Sequence, residues 1–332
     1  MIEAVVARYA RFAADEAPGR SALYASWAMT VCERPAVAEV LARIPDTHRQ
    51  PPLVFAVTRL LGAPEEPGEA WGEWVLAHAD PVVAESARRS IQTNEPLRCA
   101  ALLPALSLID GPVALLEVGA SAGLCLYPDR YSYRYTTDDG TEIRLDPADG
   151  PSGVVLDARW SGPVPALRIP EVVWRGGIDL EPLDAGRTDD RAWLTGLVWP
   201  GETGRGERIE RALDIAAADP PILVRGDAST PGILADLAAR APQDATLVVT
   251  TPGVLAHVPR ARRAAVIDQA RQAGRWITLD APALHDGWAG PGPAERWPAG
   301  RFALALDGRI IAAVDPLGAS VEWHPGGAPI PG

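Results

Sequence analysis

The chain contains no lysine; all 31 of its basic residues other than histidine are arginines. That absence excludes a Schiff-base lysine, and with it ordinary pyridoxal phosphate chemistry and lysine-dependent aldolases. It also excludes the phosphate-loop lysine of nucleotide triphosphatases. Cysteine is scarce. Cys32, Cys99 and Cys125 stand apart in apolar contexts and read as small buried hydrophobes, not as a disulfide framework or a zinc site. The five histidines never fall at metal-ligand spacing with one another or with a cysteine, so no metal site is expected from them. Positive charge is in deficit as well, and the net charge of -12 argues against sequence-independent nucleic-acid binding, which relies on basic patches. The group Arg260, Arg262, Arg263 reads as a solvated helix face. No apolar run approaches the roughly 20 residues of a membrane span, so no membrane partner is expected. The opening Met1–Arg8 lacks the basic and then apolar pattern of a secretory signal, which makes the cytoplasm the expected location.

What is present describes a folded protein. With 332 residues, 47% of them hydrophobic, and a mean hydropathy near zero, the chain can bury one large core or two. Residues 1–110 read as a helical N-terminal cap region. Apolar spacing predicts helices over 2–17, 21–32, 36–44 and 53–61, and Asp80-Pro81 marks a further start. Residues 111–332 change character. Short apolar runs at 113–118, 172–178, 222–225, 246–250 and 276–279 alternate with helical stretches at 205–217, 232–241 and 259–273. This is the pattern of an α/β fold with a mostly parallel, doubly wound, Rossmann-like sheet. Residues 301–306 and 309–314, joined by Asp307-Gly308, predict a C-terminal antiparallel hairpin, and 320–323 a further strand. An inserted β segment is expected around 127–170, and the Pro/Gly-rich stretch from Pro325 is expected to fray.

The most informative segment is 113–126. An apolar strand ends in Glu117 and breaks into Gly119, Ala120, Ser121, Ala122 and Gly123, the small residues that let a strand turn sharply into a helix and approach a ligand. Glu-x-Gly-x-Ser-x-Gly resembles the first motif of S-adenosylmethionine (SAM)-dependent methyltransferases, with Ser121 in place of the middle glycine. On that reading Glu117, Gly119, Ala120, Ser121 and Gly123 contact the methionine part of the cofactor, Asp179 accepts the ribose hydroxyls, and Asp227 faces the adenine. Asp179 stands farther from the turn than the roughly 20 residues usual in dinucleotide folds, so the insertion must account for the gap; an exposed loop acid is the competing reading. Taken literally, Gly119-Ala-Ser121-Ala-Gly123 is also the Gly-x-Ser-x-Gly of a serine-hydrolase elbow. Asp227 or Asp280, with His257, His285 or His324, would complete its order. A nicotinamide or flavin fingerprint fails at Ser121 and Leu124, where glycines are needed.

Three further stretches widen the resemblance: Arg88-Arg-Ser-Ile-Gln92-Thr-Asn94-Glu95-Pro-Leu-Arg98, Pro128-Asp129-Arg-Tyr131, and Trp174-Arg-Gly-Gly-Ile-Asp179. Together with the turn they resemble an uncharacterised bacterial family, domain of unknown function 2332, over nearly the whole chain. The resemblance implies a class I methyltransferase-like core behind a helical N-terminal part, and no established reaction.

Methyl transfer requires mainly that a nucleophile be held in line with the sulfonium methyl. Gln92, Asn94, Glu95 and Arg98 offer two amides, an acid and a guanidinium immediately before the first core strand. They line a substrate cleft, with Arg98 gripping a carboxylate, or they form a capping network at a helix break. Asp129 and Tyr131 border the same pocket or serve structural bonds. His257, beyond the strand at 246–250, is the candidate general base, a structural histidine being the alternative. Eleven tryptophans against three phenylalanines make Trp199 a candidate for stacking on a flat substrate or for core packing. The expectation is therefore a SAM-dependent methyltransferase acting on a small molecule. A non-catalytic protein of the same fold that binds a ligand or a protein is the alternative. The sequence leaves the oligomeric state open.

Overall fold

The computed structural model describes residues 1–92, 94–284 and 300–324. The chain divides into two compact units, Met1–Thr93 with Arg187–Glu210, and Asn94–Gly186 with Arg211–Gly332. His285 and the stretch from Pro325 lie outside the described residues.

The first unit is helical. It holds α1 (Ile2–Arg11), α2 (Ala22–Glu33), α3 (Pro35–Ala42), α4 (Pro51–Leu60), α5 (Glu69–Ala77), α6 (Ala79–Arg88) and α8 (Thr188–Gly196). Local chemistry sets their starts: Ser21 Oγ accepts from Tyr24 N–H at 3.2 Å, and Pro35 and Pro51 open α3 and α4, where a missing N–H costs nothing. Residues 12–16 continue α1 as a turn of π-helix. The core is aromatic. Trp27 and Trp71 stack at 5.1 Å, Phe55 meets both edge-on, and the indole N–H groups reach Glu66 O and Thr58 Oγ1, so burial leaves neither unpaired.

The second unit is built on an eleven-stranded mixed sheet among the described residues. Its strands are β1 (Val113–Val118), β2 (Ser132–Thr137), β3 (Glu142–Leu145), β4 (Val155–Ser161), β5 (Val172–Asp179), β6 (Ile222–Arg225), β7 (Thr246–Pro252), β8 (Arg275–Asp280), β9 (Phe302–Leu306), β10 (Arg309–Val314) and β11 (Ser320–Trp323). They lie in the order β3-β2-β4-β11-β10-β9-β8-β7-β1-β5-β6. From β6 to β8 every pair is parallel. β8 to β11 run as an antiparallel meander, and β11, β4 and β2 are again parallel. β1 is buried at every position, as expected of a strand covered on both faces. Asp307 and Gly308 both take positive φ, at 51° and 81°, as a two-residue type I′ hairpin turn requires.

Helices lie on both faces. α7 (Arg98–Leu106) is buried along its whole length and packs on β4, β8, β9 and β11, so residues 94–110 group with the sheet. On the other face α10 (Ile233–Ala238) and α11 (Arg260–Ala273) set Leu234, Leu237, Val266 and Ala270 against Leu116, Val118, Val249 and Trp276. α9 (Arg205–Ala218) precedes β6.

The structure corrects one expectation about the turn: β1 does not lead into an α-helix. Only a three-residue 3-10 turn, Leu124–Leu126, follows Gly123. Pro128 supplies no N–H and its ring blocks the preceding turn, so one turn is all that fits. The chain then crosses to the far side of the sheet, builds β2, β3 and β4 beyond β11, and returns to pair β5 with β1. The inserted segment therefore lengthens the chain between β1 and β5 without separating them. No helix among the described residues is long and apolar enough to cross a membrane.

Candidate functional site

The carboxyl ends of β1, β5, β7 and β8 converge where the strand order reverses. The chain steps from β1 outward to β5 and β6, then returns to β7 and β8 on the other side. Such a switch point is where open α/β sheets place their ligands.

The small-residue turn sits at this point, and its backbone is committed internally. Gly119 and Ala120 N–H both donate to Ile178 O, at 2.8 and 3.2 Å. Ser121 N–H donates to Asp179 Oδ2 at 2.8 Å, Gly123 N–H to Ala120 O, and Leu124 N–H to Asn94 Oδ1. Gly119 is left-handed (φ 76°), and a Cβ there would lie 2.5 Å from Val254 Cγ2. The missing side chain therefore makes room for Val254 from the segment after β7. Ser121, at φ 53°, is left-handed too and is buried.

Two buried carboxyls end these strands with an oxygen that has no hydrogen-bond partner: Glu117 Oε2 on β1 and Asp280 Oδ1 on β8. Burial pushes the Glu117 carboxyl well above the usual range, with Cys125 and Asp179 adding to the rise and Arg98 opposing it. Burial likewise raises Asp280 to about 7, against the hydrogen bond from Thr278 and the charges of Arg98 and Arg263. Glu117 is thereby kept neutral near neutral pH, whereas Asp280 is poised to gain or lose its proton there; in its protonated form each can donate a hydrogen bond.

Arg98 does not present a free fork to a ligand. Its Nη1 donates to Pro252 O at 2.9 Å and its Nε to Pro316 O at 3.0 Å, tying the end of β7 to the segment after β10. Glu95 Oε1 accepts from Leu97 N–H, and its carbonyl accepts from the Cys125 thiol. These bonds link the residues before α7 to one another and to the turn after β1. Asn94 Nδ2 has no partner. Tyr131 donates to Leu124 O at 2.7 Å, and Asp129 pairs with Arg175 at 2.8 Å, so both brace the 3-10 turn.

Asp179, the last residue of β5, accepts from Ser121 N–H on one oxygen and from Glu181 N–H on the other, both at 2.8 Å. Asp227 follows β6, accepts from Ser229 Oγ and N–H, and pairs with Arg262. These donors hold its carboxyl below the ordinary range. His257 is exposed in the 3-10 turn Leu255–His257, with desolvation and then Arg98 lowering its pKa. His324 follows β11, which runs antiparallel to β10 and so to β1, and it therefore lies at the end of the strands opposite Ser121.

Gln92 and Trp199 belong to the first unit. Trp199 is buried between Phe12 and Tyr24, with the Arg20 guanidinium 3.6 Å above its ring. Trp199→Ala should therefore cost about 3 kcal/mol of stability through the cavity it leaves, measured as the urea midpoint. An unchanged midpoint with weakened ligand binding would instead give it a stacking role.

Sequence reasoning weighed Asp280 only as a triad acid and did not single out Val254. An acid closing an apolar run, as Glu117 and Asp179 also do, is the signal that points to Asp280.

The sequence profile of a bacterial family described as "Uncharacterized protein conserved in bacteria (DUF2332)" matches residues 6–323. The chain belongs to that family. No curated protein and no solved structure matches it. The family profile reaches into both units and covers every site residue described above except His324.

Proposed function

We propose that the chain is a SAM-dependent methyltransferase acting on a small molecule, with the cofactor over the carboxyl ends of β1 and β5. The observation that carries this reading is Asp179. Although three strands intervene in sequence, β5 lies directly beside β1, and the Asp179 carboxylate is fastened to the Ser121 N–H of the turn. Numbered among themselves, the five parallel strands β1, β5, β6, β7 and β8 lie in the order 3-2-1-4-5, that of the Rossmann-like core.

The backbone of the turn fits poorly as a cradle, because the N–H groups of Gly119, Ala120, Ser121 and Gly123 are already bonded and Val254 covers Gly119. Fit to an adenosyl cofactor rests on two acids. Each Asp179 oxygen takes one backbone N–H and retains capacity for a ribose hydroxyl, since an ionised carboxyl has about four acceptor sites. Glu117 Oε2 is an unpartnered oxygen suited to an amino group, and bonding there would relieve its burial. The cofactor would supply the electrophilic methyl. The protein's part is to hold the acceptor in line and exclude water, with Asp280 at the end of β8 and His257 beyond β7 available to take a proton.

Asp179→Ala should weaken binding of SAM and of its demethylated product at least tenfold, read by calorimetric titration, and should also lower the melting temperature, because the Ser121 and Glu181 N–H groups lose their acceptor. Failure of the wild-type protein to bind either compound would remove the reading. Binding without transfer to any acceptor would favour the non-catalytic alternative.

The positive φ of Ser121 is the one observation that favours a hydrolase elbow. Its side chain is buried and no α-helix follows it, so a fluorophosphonate probe is expected to leave Ser121 unlabelled.

A further inference from the structure

β3 closes one side of the sheet; among the described residues no strand lies beyond it. Its pairing with β2 fixes which of its backbone groups face inward. Thr137 N–H donates to Thr141 O at 2.9 Å, which makes these two a hydrogen-bonded pair at the mouth of the hairpin. The register continues as Thr136 with Glu142, Tyr135 with Ile143, Arg134 with Arg144 and Tyr133 with Leu145. Hydrogen-bonded and non-hydrogen-bonded pairs alternate along an antiparallel ladder, so Ile143 and Leu145 turn their N–H and C=O groups towards β2. Glu142 and Arg144 turn theirs outward, to the edge. The side chains alternate with the same period: Glu142 and Arg144 are exposed on one face, and Ile143 and Leu145 are half-buried on the face of Tyr133 and Tyr135.

An edge guarded against its own copies carries charge of one sign, or a proline. β3 has neither. It reads Glu-Ile-Arg-Leu, and when the strand is reversed acid and base exchange places. The outward groups at 142 and 144 admit only registers that oppose these positions to one another. An antiparallel copy centred on Glu142 or on Arg144 sets like charges face to face, which is unfavourable. Centred on Ile143, it sets Glu142 opposite the partner's Arg144 and Arg144 opposite the partner's Glu142. Within one chain Arg144 already meets Glu142 at 2.7 Å, but its neighbour across β2 is Arg134, a like charge that Asp146 holds at 2.7 Å. The partner's Glu142 adds an acid on the side away from Arg134. On the other face the two Ile143 side chains form the central non-hydrogen-bonded pair, the kind that brings side chains closest. Val164, exposed, lines one cleft with Ile143 and extends that apolar strip.

We propose that β3 is a self-association strand, through which two copies of the chain join their sheets antiparallel across a two-fold axis at Ile143. The contact is isologous, so it closes at a dimer and leaves no β3 edge to carry the assembly further. It is independent of the methyltransferase reading, because β3 and the β1–β5 pair lie towards opposite sides of the sheet. The charge pairs are exposed, so they set register and choice of partner, and the backbone bonds with the apolar strip supply the attraction.

The test exchanges charges on the full chain. Wild type, Glu142→Arg, Arg144→Glu and the double exchange Glu142→Arg/Arg144→Glu are compared by sedimentation velocity over a roughly hundredfold range of concentration. Far-UV circular dichroism checks that each is folded. Wild type and the double exchange are expected to form dimers as concentration rises. Each single exchange should weaken association at least tenfold, because every charge pair across the axis becomes like-signed. Mixed in equal amounts, the two single variants should dimerise with each other, since every pair is then opposite in sign. A wild type that stays monomeric throughout would overturn the proposal. So would dimers that form equally in all four proteins, which would place the contact elsewhere, or single variants that remain apart when mixed.

Discussion

Asp280→Asn is expected to stabilise the protein by about 4 kcal/mol at pH 8 and to change little at pH 4. A carboxyl that ordinarily titrates near 3.8 and titrates near 7 in the fold carries roughly that difference, at about 1.4 kcal/mol for each decade of proton affinity. The sign follows from proton binding. Between pH 4 and 7 the folded protein keeps the proton that the unfolded chain has released, so the wild type loses stability as pH rises through that window and levels off above it. Asparagine has no proton to lose and keeps the Thr278 contact available, so its stability lacks this slope. Urea unfolding from pH 4 to 8 reads the effect directly. A constant difference between the two proteins across that range would mean that Asp280 is already ionised in the fold. Glu117→Gln should act in the same direction, since burial raises that carboxyl as well.

Arg98→Ala should destabilise the second unit by about 4 kcal/mol. The guanidinium donates to Pro252 O and Pro316 O from a site that is 8% exposed. A hydrogen bond from a charged donor is worth about 1.5–3 kcal/mol, and losing the arginine strands both carbonyls. Gly253 and Gly318 pack against the same residue; a Cβ at Gly318 would lie 2.8 Å from Arg98 N and 2.1 Å from Leu97 O. Arg98→Lys should recover less than half of the loss, because one ammonium cannot reproduce a planar fork that reaches two segments. The urea midpoint decides the matter. A variant of undiminished stability that no longer binds the cofactor would instead put Arg98 on a ligand carboxylate.

Much of the fold was legible because periodicity and punctuation agreed. The run Ile222–Arg225 and the hairpin around Asp307-Gly308 are bounded by residues whose local preferences match the observed geometry. The sequence expectation failed just beyond Gly123, where a helix was foreseen and Pro128 allows only a single turn. α5, with its two tryptophans, lies between the breakers Gly62-Ala-Pro and Asp80-Pro81, which mask its helical spacing.

The site was legible as residue types and illegible as partners. Glu117, Asp179 and the turn stand together at the strand ends. Whether Ser121 N–H would face a ligand or the Asp179 carboxylate depends on a pairing across 58 residues that no local pattern encodes. Arg98 shows the same limit. Its charge suggested a ligand, whereas the fold brings Pro252 and Pro316 to it from distant parts of the chain. The unpartnered oxygens of Glu117 and Asp280 are likewise a property of burial and packing, which sequence spacing does not report.

β11 has a consequence for how the sheet is assembled. Ser320–Trp323 is the strip that joins β10 to β4, so the β2–β4 lobe is welded to the rest of the sheet through Ser320 beside Arg159. During synthesis that lobe leaves the ribosome early and must wait, one long edge bare, until all the parallel strands have been made. Late closure of this kind is slow and leaves a sticky intermediate. Chains interrupted before Ser320 should therefore clump through the open edge of β4 instead of dissolving as a smaller folded piece.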